Sequence, residues 1–233
     1  MDLTLIQKIA IFALPVIFAI TLHEAAHGYV ARFFGDMTAA RAGRITINPI
    51  KHIDPIGTLL VPLVILTASK LLGGGAILFG WAKPVPVDFG NLRNPKKDML
   101  WVAAAGPGIN FLMAVFWGLM IQLGLLLNNT YSAPIMLTGA AGVFINVILM
   151  ALNLVPLPPL DGGRIAVSLL PLKAARVYAR IEPYGFFILL ALLFTGVLNL
   201  LLWPLINLFT SLIASITGLE QSYLLGLIQL VLA

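Results

Sequence analysis

The chain has no cysteine, which excludes disulfides and thiolate metal sites and leaves nitrogen and oxygen as the only metal donors. Charge is scarce as well: acidic and basic residues together make up 10% of the chain, against 60% hydrophobic. With a mean hydropathy of +1.01, that balance excludes a soluble domain of this size and implies an integral membrane protein. Low-complexity linkers and internal repeats are absent. The net charge of +5 forms no nucleic-acid-binding patch, because the basic residues are scattered through short loops, so no nucleic-acid partner is expected. A cleavable signal peptide is not expected either, since the first apolar segment carries a polar motif in place of a small-residue cleavage site.

What the chain does have is long apolar runs, at about 3–30, 56–72, 98–127, 132–155 and 184–216, with a weaker amphipathic tail at about 219–232. They predict a single all-α polytopic membrane domain over 1–233, with about five to six transmembrane or re-entrant helices. The run 184–216 is too long for one straight span, and Pro204 predicts a kink or split near Leu202 to Pro204. Arg32, Arg41, Arg44 and Lys51 in 31–55, and Arg164, Lys173, Arg176 and Arg180 in 156–183, assign both loops to the cytoplasmic side. The loop 70–97 is basic too, with Lys70, Lys83, Arg93, Lys96 and Lys97. Parity then requires that 56–72 re-enter, or that Gly73 to Gly80 return through the membrane as extended chain.

Against this shortage of ionisable groups, His23-Glu24-Ala25-Ala26-His27 stands at the end of the first run and holds two of the chain's three histidines. On a helix, residues four apart share a face, so His23 and His27 can bind one zinc ion, and Glu24 is placed to act as general base on water. Catalytic zinc usually takes three protein ligands. His52, Asp36, Asp54, Asp88, Asp98, Asp161 and Glu182 are the candidates for the third. Asp161 stands out because prolines at 156, 158 and 159 stiffen the chain before it and Gly162-Gly163 after it permit close backbone approach. A plain helix N-cap explains it equally well.

The motif at 23–27, Gly106-Pro107-Gly108-Ile109-Asn110 at the start of a helix, and NLVPLPPLDGGR at 153–164 together resemble the site-2 protease family of intramembrane zinc metalloproteases, in its compact prokaryotic form without a PDZ domain. The resemblance covers about 13–170, with C-terminal helices at about 178–233. It implies one zinc ion on His23, His27 and Asp161, with Glu24 as the base. It also implies transmembrane segments of other membrane proteins as substrates, and a multi-pass protein of the prokaryotic plasma membrane with its active site toward the cytoplasm. Compact members often pass from the HExxH helix through a small sheet to the GPxxN helix; here the run 56–72 intervenes.

Four further features carry expectations. His52 is a candidate outer partner of a ligand, or an alternative ligand to Asp161, with Asp54 positioned to orient it. The stretch 80–87, with Trp81, Lys83 and Val85, reads as a short extended or β segment offering an edge to an unwound substrate. Asn110 and Asn153 are amides at membrane depth, suited to holding substrate backbone or to helix-to-helix hydrogen bonds. Ala103 to Gly106 and Gly139 to Gly142 are small-residue faces for close helix packing. Two non-catalytic readings stand beside the protease: an inactive homologue that binds client helices, and a metal-handling transporter. The intact Glu24 argues against the first. The clustering of ionisable groups at loops and one site argues against the second.

Overall fold

The computed structural model describes residues 3–61, 63–65, 67, 80–127 and 129–233. Helix α1, Leu5–Phe33, starts at a capping box in which the Thr4 hydroxyl accepts from the Gln7 N–H and the Gln7 side chain accepts from the Thr4 N–H. A short helix α2, Thr38–Arg41, follows, then a 3-10 turn at Pro49–His52 and a π-helical turn at Pro55–Leu60. The long helices α3, Pro95–Leu127, and α4, Ser132–Asn153, form a hairpin. Next come α5, Asp161–Leu169, α6, Leu172–Ala179, α7, Gly185–Phe194, α8, Val197–Thr217, and α9, Gln221–Leu232. No strand occurs among the described residues.

Five helical stretches are long and apolar enough to cross a membrane: Leu5–Phe33, Pro95–Leu127, Ser132–Asn153, Leu172–Phe194 and Val197–Thr217. Their outer faces carry large apolar side chains, among them Leu126 at 80% exposed, Leu200 at 74% and Trp203 at 58%, a surface that suits lipid and not water. The fold class is therefore an all-helical polytopic membrane protein, as the apolar runs predict.

Lipid chains are as apolar as leucine, so helices in a bilayer associate through close packing. The α3–α4 hairpin is built on that rule. Gly142 receives the Trp117 ring and Gly139 the Ile121 side chain, and a Cβ at Gly142 would lie 2.2 Å from Trp117 Cγ. Ala140 and Ala141 between them are fully buried. Ile213, Ala214, Leu224 and Val231 from α8 and α9 complete the same core.

The run 184–216 does divide, but at Gly196 and not near Pro204. Gly196 takes φ of 76°, a left-handed conformation open to glycine at little cost, and separates α7 from α8. Pro204 lies inside α8, which runs through it without a break. Asp54 caps the turn at Pro55, accepting from the N–H groups of Ile56 and Gly57. The rest of 56–72 lies in part outside the described residues, as do 73–79, and with them the choice between a re-entrant and an extended return.

The glycine packing is testable by thermal unfolding of the detergent-solubilised protein. Gly142→Ala forces a methyl into the Trp117 ring and should cost about 1–3 kcal/mol. Gly226→Ala, whose Cβ meets nothing within 4 Å, should be neutral or stabilising by up to about 1 kcal/mol.

Candidate active site

His23 and His27 lie one turn apart on α1, and their ring nitrogens have different tasks. His27 Nδ1 donates to the Val102 carbonyl at 2.7 Å, and since a carbonyl only accepts, the proton is on Nδ1. His23 Nδ1 meets Asn110 Oδ1 at 2.5 Å, likewise as donor. The two Nε2 atoms, left with lone pairs, face each other at 3.2 Å. Asp161 Oδ2 lies 3.3 Å from each of them.

Three acceptor lone pairs thus converge in a buried place. Asp161 is 9% exposed, and its Oδ2 has no hydrogen-bond donor. With neutral imidazoles such an arrangement repels itself, and a proton or a metal cation among the three atoms relieves it. Tetrahedral ligands at zinc distances of about 2.0–2.1 Å stand about 3.3–3.4 Å from one another, which is the separation seen here. The donor set therefore fits zinc, and it is the one metal-type cluster of histidine and carboxylate found among the described residues.

Glycines make the convergence possible. A Cβ on Gly106 would lie 2.5 Å from both His23 Cε1 and His27 Nε2, so α3 can approach the imidazoles only with glycine there. Beyond Asp161, Gly162 packs against the Leu154 and Val155 carbonyls and Gly163 against the Pro158 backbone, where a Cβ would meet those atoms within 2.4 Å. The stiff loop and the close approach read from the sequence are both present. The N-cap alternative is not: Leu160 holds that position, and Asp161 is the first residue of α5.

Glu24 is half-buried, and its Oε2 accepts from the Val85 N–H at 2.8 Å. Among the described residues no donor reaches Oε1. Val85 belongs to an extended segment, 80–88, fastened along its length. Trp81 N–H donates to the Gly57 carbonyl at 3.0 Å, Lys83 N–H to the His52 carbonyl at 2.9 Å, and Asp88 N–H to Asp36 Oδ2 at 2.8 Å. The Arg44 guanidinium donates to the Lys83 carbonyl at 2.8 Å. The Arg164 guanidinium of α5 lies over the Phe89 ring at 5.0 Å, tying the end of the segment to the helix that carries Asp161. Asp36 is fully buried, and burial alone would raise its pKa. The Thr38 hydroxyl and the N–H groups of Thr38, Asp88 and Asn91 outweigh that and hold it below the usual carboxylate value. Its contribution to stability is complete at neutral pH and is lost only on acidification below the ordinary carboxylate range.

The segment forms neither helix nor strand, and few of its backbone donors are left for a substrate edge. The N–H groups of Trp81, Lys83 and Val85 are taken by the protein itself. Of the even positions facing the other way, 84 and 86 are prolines and lack the donor. Trp81 packs on Gly57 and stands edge-on to Phe186, while the Lys83 side chain is exposed.

His52 is not brought into the cluster. It is 2% exposed, its Nε2 bonds to the Thr46 carbonyl at 2.9 Å, and it serves the site through its backbone, which holds Lys83. Asp54 acts as the cap already described. Asn153 turns its amide back to the Leu149 carbonyl at 3.0 Å. Asn110 is fully buried and its Oδ1 is engaged by His23, in a helix-to-helix hydrogen bond. The sequence reading overlooked the Val102 carbonyl, the Val85 N–H and Asn146. The first two belong to the backbone and leave no mark in residue type. Asn146 is a third amide inside an apolar run, the same signal that drew attention to Asn110 and Asn153.

Two histidines, an aspartate and a glutamate gathered in a bundle of membrane-length helices define a membrane-embedded metallohydrolase. Comparison with known proteins makes the class specific. Residues 120–196, which include Asp161, match the family described as Peptidase family M50. YwhC of Bacillus subtilis (strain 168) is 37% identical over 83% of this chain and 84% of its own length. Rip2 of Mycolicibacterium smegmatis is 30% identical over 83% of this chain and 71% of its own. Both carry the name of a zinc metalloprotease. No solved structure gives a significant match. The chain belongs to peptidase family M50, the site-2 proteases, and is a metalloprotease.

Gly106→Ala tests the packing against the imidazoles. It should lower zinc retention by at least about tenfold, measured by chelator competition on the purified protein, as loss of ligand positioning does elsewhere.

Proposed function

We propose that this protein hydrolyses peptide bonds in or near transmembrane segments of other membrane proteins, using one zinc ion on His23, His27 and Asp161 and Glu24 as general base and acid. The observation that carries this reading is the convergence of two Nε2 atoms and Asp161 Oδ2 at 3.2–3.3 Å, beside a glutamate, within helices of membrane length. When bound, zinc supplies Lewis-acid chemistry, making water a nucleophile at neutral pH and polarising a carbonyl.

The protein's own groups do the rest. The Val85 N–H holds Glu24 Oε2 and leaves Oε1 free to take a proton from the attacking water. The same carboxyl then passes that proton to the departing amide nitrogen. A helical substrate hides its carbonyls in intrahelical hydrogen bonds, so the scissile stretch must be extended before Glu24 can act on it. A carboxylate facing lipid would cost about 2.5–3.5 kcal/mol, so Glu24 and Asp161 require a wetted cavity. The basic loops at 31–55 and 156–183 support an opening toward the cytoplasm. All of the groups named lie within 13–170, which supports a catalytic core over those residues in one peptidase domain spanning 1–233.

Zinc content and cleavage of a model transmembrane substrate test the assignment together. Glu24→Gln should keep zinc and lose about 10²–10⁴ in rate, the usual contribution of general acid–base catalysis. Asp161→Ala should lose the metal itself. A Glu24→Gln variant that cleaves at the wild-type rate would remove Glu24 from the mechanism. Wild type that binds client helices without cutting them would leave the non-catalytic homologue.

The Val85 contact has its own test, because proline deletes the N–H and suits an already extended backbone. Val85→Pro should lower kcat by about 10–100-fold with zinc unchanged, the worth of a hydrogen bond to a charged group. Val85→Ala, which retains the donor, should keep most activity.

A further inference from the structure

Behind His23 lies a chain of amides that the ligand set does not explain. Asn110 and Asn146 are both 0% exposed, one on α3 and the other on α4. Asn146 Nδ2 donates to the Gly142 carbonyl at 2.9 Å. Asn110 Nδ2 donates to Asn146 Oδ1 at 2.8 Å and lies 3.3 Å from the Ala19 carbonyl. Asn110 Oδ1 then meets His23 Nδ1 at 2.5 Å.

The order of donors along this chain is forced from its far end. The Gly142 carbonyl can only accept, so Asn146 must turn its NH₂ toward it and its oxygen toward Asn110. Asn110 must answer with its own NH₂, a choice the Ala19 carbonyl reinforces. That leaves only Asn110 Oδ1 for His23, and an oxygen there demands a proton on Nδ1. Flipping either amide would set oxygen against oxygen at full burial.

We propose that Asn146 is a positioning residue for the metal site: acting through Asn110, it fixes His23 in the Nδ1–H tautomer and so keeps Nε2 as a metal donor. This deepens the zinc-site reading above and rests on it. His27 needs no such relay, because the Val102 carbonyl meets its Nδ1 directly. His23 meets an amide, which could present either end, and Asn146 at 2.8 Å removes that ambiguity with the more distant Ala19 carbonyl as a weaker second acceptor. A role confined to holding α3 against α4 would predict lost stability with no effect on the His23 ring.

The test reads tautomer and metal separately. The full-length protein, labelled with ¹⁵N-histidine and stripped of metal in detergent and alkaline buffer, gives a spectrum of three histidines that single substitutions assign. Wild-type His23 should show a protonated Nδ1 and a bare Nε2. Asn146→Ser, whose hydroxyl can bond back to the Gly142 carbonyl, should give mixed tautomers. It should also weaken zinc binding by about 10–100-fold in chelator competition. Because the effect passes through Asn110, Asn146→Ser should cost nothing further in an Asn110→Ala background. The proposal fails if wild-type His23 carries its proton on Nε2, a result that needs no variant to fold. It fails equally if Asn146→Ser leaves both readouts at wild-type values, or if the two losses simply add. A tautomer that shifts as expected in protein that takes up no zinc would overturn the zinc reading and leave the relay standing.

Discussion

Three lone pairs aimed at one another inside a membrane bundle are the constraint on which the rest of the structure depends. With both imidazoles neutral and both Nδ1 atoms committed as donors, His23 Nε2, His27 Nε2 and Asp161 Oδ2 carry no proton among them. In water such a cluster would be hydrated and harmless; among apolar helices it is unfavourable until a cation joins it. The elements nearby exist to hold that unfavourable arrangement in place. Gly106 brings α3 against the imidazoles, and the two glycines after Asp161 press the start of α5 onto its own preceding loop. On the proposed zinc site, ligands held in this way would lose little ordering entropy on binding metal.

The same reasoning explains why backbone groups appear so often around the site. A side chain at membrane depth needs a partner, and the cheapest partner is one that the fold already supplies. Val102 offers a carbonyl to His27 and Val85 an N–H to Glu24. Each avoids placing a further polar side chain in an apolar bundle. Where no backbone group lies within reach, as at His23, two buried asparagines take its place, and they must then satisfy each other as well.

This division also decides what the sequence could reveal. His23, Glu24 and His27 are legible because a helix turns a local spacing into a shared face. Asp161 is legible because the prolines and glycines beside it mark a rigid display point. Asn110 draws attention as an amide in an apolar run, but its task depends on which helix faces it, and spacing alone does not supply that. The expected break at Pro204 fails for a related reason: proline in a membrane helix can be absorbed by its neighbours, whereas Gly196 reaches a backbone conformation that ends a helix outright. The extended character of 80–88 follows from its prolines. Its attachment to Glu24 rests on a backbone N–H, which every residue but proline possesses, so nothing in residue type distinguishes Val85.

The bond between Val85 and Glu24 shapes how a substrate must approach. A carboxylate with both oxygens free would rotate and would draw whatever donor was nearest, including the N–H groups of an arriving peptide. With Oε2 committed to Val85, the remaining oxygen has one direction in which to work. The donor is carried on a segment fastened at Gly57, His52, Arg44 and Asp36, so the direction is set by four separate parts of the fold and not by one rotamer. The prolines at 84 and 86 then have a second consequence. They leave the free edge of that segment short of donors, so an unwound peptide gains little from pairing there in regular register. On the proposed function, an extended substrate would then draw on contacts other than a continuous ladder along 80–88.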